Sequence, residues 1–354
     1  MVPSRGGGGN LPRLTSLRFF AALLILIYHA RLSDLVPGGR VFDVAHMGVA
    51  FFFVLSGFVL TWASPGERIE PRRFWLNRFA RIYPSHLVTM LIAAVIFLPV
   101  RWTDVLLHLF LLQAWAPHQS TILSLNEVSW SLSAEAFFYL LAPWLITALR
   151  RRSDRTMVIL ALGWWIVTMG AGRALILMGF EEWPYYLPAI RSAEFIIGIV
   201  LAELFRRGRL SRRIPVWPCV VACLVSYGAA LAVYRMGVTM QMMPAIITAP
   251  AICLLVVAAA QADARGQGGL LTSPLLEHAG KVSFAVYLVH ALVLTVVPPL
   301  LPEPATLAWQ LAGLAVVLVV TWACAEALHR GVELPAQRAI RSRFARRIGA
   351  AARH

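Results

Sequence analysis

The sequence predicts an all-α fold: a polytopic membrane protein with about ten transmembrane helices plus a short interfacial or re-entrant helix. Composition is the first observation. Of 354 residues, 59% are hydrophobic and 14% charged, against roughly 45–50% and 25% in soluble domains. A soluble fold of this length has too little interior to hide that excess. The second observation is a recurrence of apolar runs near the ~20 residues that cross a ~30 Å hydrocarbon core. They fall at 14–31, 44–63, 80–98, 129–149, 156–177, 189–206, 214–234, 240–261, 281–299 and 307–328. The third is charge placement. With a cytoplasmic N-terminus and alternating spans, 26 of the 32 basic residues lie on the cytoplasmic side, leaving Arg31, Arg40, Arg101, Arg173, Arg191 and Arg235 elsewhere. This is the positive-inside rule, and it puts both termini in the cytoplasm. It also accounts for the net charge of +15 without a nucleic-acid partner.

Taken in order, residues 1–13 with the Gly6–Gly9 run form a flexible lead-in. The first span carries Arg18 and His29. Eleven residues at about 100° each return to within roughly 20° of the start, so the two share a face about 16 Å apart. An ionisable side chain inside a span marks a functional site by default, and neither residue suits the apolar stretch of a signal peptide. In the second span, Phe51–Phe58 is a packing run in which Gly57 allows close helix approach. Arg78 and Arg81 then share one face of a helix entering the membrane, and guanidinium forks suit phosphates. Residues 99–128 make the longest external loop; Thr103–Trp115 is too short to cross and reads as a half-buried helix over a cavity.

The fourth span places Ser131, Glu135 and Tyr139 every fourth residue, a polar stripe expected at the depth of His29. A carboxylate there would orient the ring and raise its basicity. Arg191 and Glu194 are spaced as a structural ion pair. Cys219, Cys223, Cys253 and Cys324 all lie in spans with no metal-ligand spacing, so neither a disulfide framework nor a metal site is expected. In the ninth span Ser283, Tyr287 and His290 form an inward-leading stripe. The last residues, with Arg338, Arg341, Arg343, Arg346, Arg347 and Arg353, read as a basic tail along anionic headgroups. The expected organisation is thus a lead-in at 1–13, a membrane domain at 14–330 and a cytoplasmic tail at 331–354.

In order along the chain stand Arg18 with His29, Gly48–Phe58, Arg78-Phe-Ala-Arg81-Ile-Tyr-Pro84, Trp130-Ser-Leu-Ser-Ala-Glu135-Ala-Phe-Phe-Tyr139, Arg191–Gly198 and Ser283–His290. With these motifs residues 14–330 resemble the membrane-bound acyltransferase family 3. That resemblance implies a ten-span bacterial plasma-membrane enzyme moving an acyl group, usually acetyl, from acyl-CoA to a hydroxyl. His29 would be the general base, Glu135 its support, and Arg18, Tyr287 or a backbone N–H a donor to the tetrahedral oxygen. Arg78, Arg81, Ser283, Tyr287 and His290 would line the donor's path, with Trp130 and Tyr139 on the acceptor side. Acyl-CoA would be a co-substrate arriving from the cytoplasm, with no permanently bound cofactor and no metal.

The 31 arginines against one lysine point to a GC-rich genome, and stand-alone members there are similar to macrolide O-acyltransferases. A macrolide-type antibiotic or other amphipathic natural product is therefore the expected acceptor. O-acetylation of an envelope glycan or lipid-linked sugar is the alternative, and direct transfer stands beside an acyl-histidine intermediate. Outside enzymology, embedded Glu, Arg and His also suit a proton-coupled transporter. Oligomeric state, a homo-oligomer included, stays open.

Overall fold

Every expected span is a helix in the structure, a computed structural model that describes residues 9–36, 38–64, 66–237, 242–302 and 306–351, with side chains to residue 344 in the last helix. Arg5 and Arg353 lie outside the described residues, as do the side chains of Arg346 and Arg347. The helices are α1 (Pro12–Leu32), α2 (Gly48–Trp62), α3 (Pro71–Ile96), α4 (Trp102–Leu109), α5 (Gln119–Ile122), α6 (Trp130–Arg150) and α7 (Asp154–Leu177). They continue with α8 (Trp183–Tyr186), α9 (Pro188–Arg206), α10 (Val216–Arg235), α11 (Met243–Ala264), α12 (Pro274–Val296), α13 (Leu307–Leu328) and α14 (Leu334–Ala351). Starts follow local chemistry. Proline opens α1, α3, α9, α11 and α12, where its missing N–H costs nothing. Ser153 and Ser273 accept from the backbone N–H groups of Thr156 and Leu276 to cap α7 and α12.

Among the described residues nine helical stretches are long and apolar enough to cross a membrane. The tenth expected span, α9, falls outside that set because it carries Arg191, Glu194, Glu203 and Arg206. It is sheltered instead, packed against α2, α6 and α7. The α2–α9 contact has no room for side chains at two points. A Cβ on Gly57 would stand 2.0 Å from the Phe195 carbonyl oxygen, and one on Gly198 2.1 Å from that of Val54. A second backbone-to-backbone contact joins α1 to α12, where a Cβ on Gly280 would meet the Thr15 oxygen at 1.9 Å. By contrast, α7 and α10 turn Ile166, Leu224 and Val225 outward, as helices facing lipid do.

The helix ends sort onto one face as the charge pattern requires. Arg13 at the start of α1 pairs with Asp263 at the end of α11 at 2.9 Å. Arg150 ends α6, binding Glu203 on α9 at 2.7 Å, the Thr61 carbonyl in the last turn of α2 and the Ser64 carbonyl just after it. Arg207 reaches Asp154 at the start of α7. The C-terminal segment departs from expectation. Instead of forming a separate tail, the chain continues from α13 through a π-helical turn, His329–Glu333, into α14, which packs against α3. The boundary expected at 330 falls inside this continuous stretch. A buried ion pair between Glu333 and Arg81 of α3 is the physical reason: a fully buried carboxylate is held by a guanidinium of the neighbouring helix.

Candidate active site

Two cavities penetrate the bundle from opposite ends. Toward the basic face lies one of about 400 Å³, whose wall includes Arg18 from α1, Arg78 and Arg81 from α3, Glu135 and Tyr139 from α6, Lys281 and Ser283 from α12, and Arg341 from α14. Toward the other face lies a pocket of about 190 Å³ containing Tyr28, His29, His46, Glu127, Trp130, Tyr185 and Tyr186. Val49 and Tyr287 line both. The two spaces are therefore separated by a single layer of side chains.

His29 is set in one tautomer by its surroundings. Its Nδ1 lies 2.9 Å from the Ile25 carbonyl oxygen one turn back and 3.3 Å from Nε2 of His290. A carbonyl only accepts, so Nδ1 carries the hydrogen and Nε2 keeps the lone pair. His290 is fully buried, and its own Nδ1 donates to the Val286 carbonyl at 3.2 Å, leaving its Nε2 to accept from His29. The free Nε2 of His29 points into the pocket, 3.8 Å from the Glu127 carboxylate. That is too long for a hydrogen bond and close enough to stabilise an imidazolium. Glu127 comes from the short turn before α6.

The expected partnership of His29 with Glu135 is replaced in this geometry. Glu135 stands beside Tyr139 in the fields of Arg18, Arg78 and Arg81, all in the arginine cavity. Arg18 and His29 likewise project from α1 into different chambers. About two helix turns of depth separate the expectation from the outcome: the turn at residues 127–129 precedes α6, so its Glu127 reaches the pocket while Glu135 lies deeper. Of the other sequence candidates, Arg78, Arg81, Ser283 and Tyr139 line the arginine cavity, Trp130 lines the His29 pocket, and His290 backs His29. Tyr139 is tied to Ser56 at 2.9 Å. Tyr287, at the junction, is 2.9 Å from the Val128 carbonyl oxygen and 2.8 Å from the Ser131 hydroxyl. Its single proton is engaged there, so donating to a tetrahedral oxygen requires breaking one of these bonds.

The pocket wall is braced from behind. Arg191 pairs with Glu194 at 2.9 Å, as their spacing indicated. Its guanidinium stands 4.9 Å from the Tyr185 ring centroid, 5.2 Å from Phe53 and 5.9 Å from Trp130, a cation–π clamp. Tyr185 and Tyr186 were not apparent in the sequence. Their signal was the Trp183-Pro-Tyr-Tyr cluster of α8 between two spans. Burial pushes the Tyr186 phenol up to about 12, so it stays a neutral hydroxyl. The loop expected to roof a cavity does so through Gln119 and Leu123, around α5, rather than through α4.

Comparison with known proteins places this architecture. The acyltransferase domain model of acyltransferase family 3 matches residues 11–326, and the chain belongs to that family. Acyltransferase MdmB of Streptomyces mycarofaciens is 35% identical over 322 residues, covering 80% of this chain and 79% of the relative. Exopolysaccharide production protein ExoZ of Rhizobium meliloti is 27% identical, covering 73% and 80%. O-acetyltransferase OatA of Staphylococcus aureus is 28% identical over 55% of this chain, which corresponds to 35% of OatA. No solved structure matches. The chain is an acyltransferase of the membrane.

Proposed function

We propose that the protein moves an acetyl or other short acyl group from acyl-CoA, taken up from the cytoplasm into the arginine cavity, to a hydroxyl presented at His29. The observation that carries this reading is the meeting of a polycationic cavity and a histidine pocket at Tyr287 and Val49. Phosphates of a long anionic donor suit the guanidiniums, and its pantetheine arm would carry the thioester toward the junction. Nε2 of His29 takes the acceptor's hydroxyl proton, and the oxygen attacks the thioester carbonyl carbon. The tetrahedral intermediate collapses, the C–S bond breaks, and the thiolate leaves with the proton from the imidazolium. Glu127 offsets the charge that His29 carries between those steps.

For the acceptor we favour a macrolide-type antibiotic or similar amphipathic natural product. An aromatic wall of Tyr28, Trp130, Tyr185 and Tyr186 with few charges suits a sugar-bearing apolar molecule arriving from the bilayer. O-acetylation of a glycan is the second reading, favoured by the names of ExoZ and OatA. The test is free-thiol release from acetyl-CoA by detergent-purified protein, with mass spectrometry of macrolide and oligosaccharide acceptors. Acceptor-dependent release, lost in His29→Ala, is the expected result. A wild type that never cleaves acetyl-CoA with any acceptor overturns it.

A further inference from the structure

The arginine cavity has one wall that the family domain does not supply. The matched domain ends at residue 326, yet His329, Leu334, Gln337 and Arg341 line the cavity from beyond it. This segment is docked at a specific point. Glu333, fully buried in the π-helical turn, pairs with Arg81 and accepts from Nδ1 of His329 at 3.0 Å and Nε2 of Gln337 at 3.2 Å. π-Helical turns concentrate at functional sites because they re-aim side chains within an otherwise continuous helix. A second tie, Arg72 over the Phe344 ring at 5.5 Å, holds the far part of α14 to α3.

Docking has a consequence for charge. Arg81 is already neutralised by Glu333, whereas Arg18, Arg78 and Arg341 have no carboxylate within 4 Å among the described residues. Arg78 lies in the repulsive field of both Arg18 and Arg341. With Glu135 as their one shared counter-charge in the cavity lining, these guanidiniums keep a net positive surplus, a binding site for an external polyanion.

We infer that α14 is a working wall of the donor site: Glu333 clamps it onto Arg81, and Arg341 joins Arg78 and Arg18 in gripping the phosphates of the donor. This rests on the donor reading above and assigns a ligand contact to the segment that the sequence presents as a basic tail. The RxxR pair of α3 thereby divides its labour. Arg81 secures the wall and Arg78 faces the ligand.

The experiment is a binding titration of the detergent-purified full chain with coenzyme A and, separately, with pantetheine, which has no phosphates. Wild type is expected to bind coenzyme A at least about tenfold tighter than pantetheine, since charge-assisted contacts are the stronger class. Arg341→Ala should weaken coenzyme A about 10–100-fold, the range for losing one such charge-assisted contact, and leave pantetheine unchanged. Arg343→Ala, exposed on the same helix, should change neither. Glu333→Gln should reproduce the selective loss by releasing the clamp. If Arg341→Ala binds coenzyme A as wild type does, or loses both ligands equally, the α14 assignment is overturned while the donor reading stands. If wild type binds coenzyme A no better than pantetheine, both fall.

Discussion

The arginine cavity collects Arg18, Arg78, Arg81, Lys281 and Arg341 against Glu135 and Glu333, whereas the His29 pocket sets two histidines, His29 and His46, and one carboxylate among aromatic rings. Both are lined by α1, α2, α6 and α12, so the same four helices border a charged space at one end and a near-neutral aromatic one at the other. A surplus of guanidiniums attracts a ligand over distance and holds it through phosphate geometry. It does little for bond-making at the far end of a long donor. The neutral pocket has the reverse character. Its value lies in a fixed tautomer and a fixed lone pair, which matter only when a proton moves. Substitutions at the two ends should therefore separate binding from rate.

The sharpest break of that contrast is His29→Ala. Turnover should fall by about 10³-fold or more, in the upper range for loss of a general base, with coenzyme A affinity within about twofold of wild type, since the pocket adds little phosphate recognition. Paired kinetics and titration check it. A parallel loss of donor affinity would show that the two ends are one site.

Next in size is Gly280→Ala. Its Cβ would lie 1.9 Å from the Thr15 oxygen, so α1 and α12 must part, and overpacking of this kind costs about 1–3 kcal/mol. These two helices carry His29 and His290. Folded yield and thermal stability in detergent should fall, and the surviving protein should lose turnover more than donor binding. Gly163→Ala, with nothing within 4 Å of its added Cβ, is the control that should be silent.

His290→Leu tests the rate end alone. Without an acceptor on Nδ1–H beyond Ile25, the ring of His29 loses one of its two restraints. The expected fall in kcat is about 10–30-fold, roughly 1.4–2 kcal/mol, with donor KM unchanged. Gln, whose amide oxygen also accepts, should restore part of it. A purely structural role would lower both variants alike.

What the sequence made legible follows from where the information sits. Spacing within a helix is read directly: the spans, the Arg191–Glu194 pair, and the stripe of Glu135 with Tyr139 all stand in the structure as periodicity places them. The Gly57 contact was legible too, because a glycine in an apolar helix has few other uses. Approaches between helices were not. His29 and His290 each lay in a recognised stripe, but their 3.3 Å contact depends on the α1–α12 crossing that Gly280 sets. Glu127 sat in a loop three residues before the motif and carried no periodicity. The docking of α14 was hidden because its five arginines read as a headgroup-binding surface, while the residue that decides its position, Glu333, is a lone carboxylate with its partner 252 positions earlier.

The smallest expected effect concerns the cap beyond the neutral end, and it is a pH effect. His108 on α4 is fully buried, donates through Nδ1 to the Asp104 carbonyl at 2.9 Å, and faces His86. Burial holds it down to about 4, below its ordinary 6.5. Because the folded value is the lower one, the unfolded chain binds more protons below pH 6.5, and stability falls as pH drops toward 4. Between pH 7 and 5.5 the loss is about 1 kcal/mol. It should register as a lower melting temperature of the purified protein, and His108→Gln should flatten that part of the profile. Coenzyme A affinity, set at the opposite end by guanidiniums that keep their charge throughout, should stay level over the same interval. Affinity that tracked the melting temperature would mean that the cap and the arginine cavity open together, and the separation of the two ends would be lost.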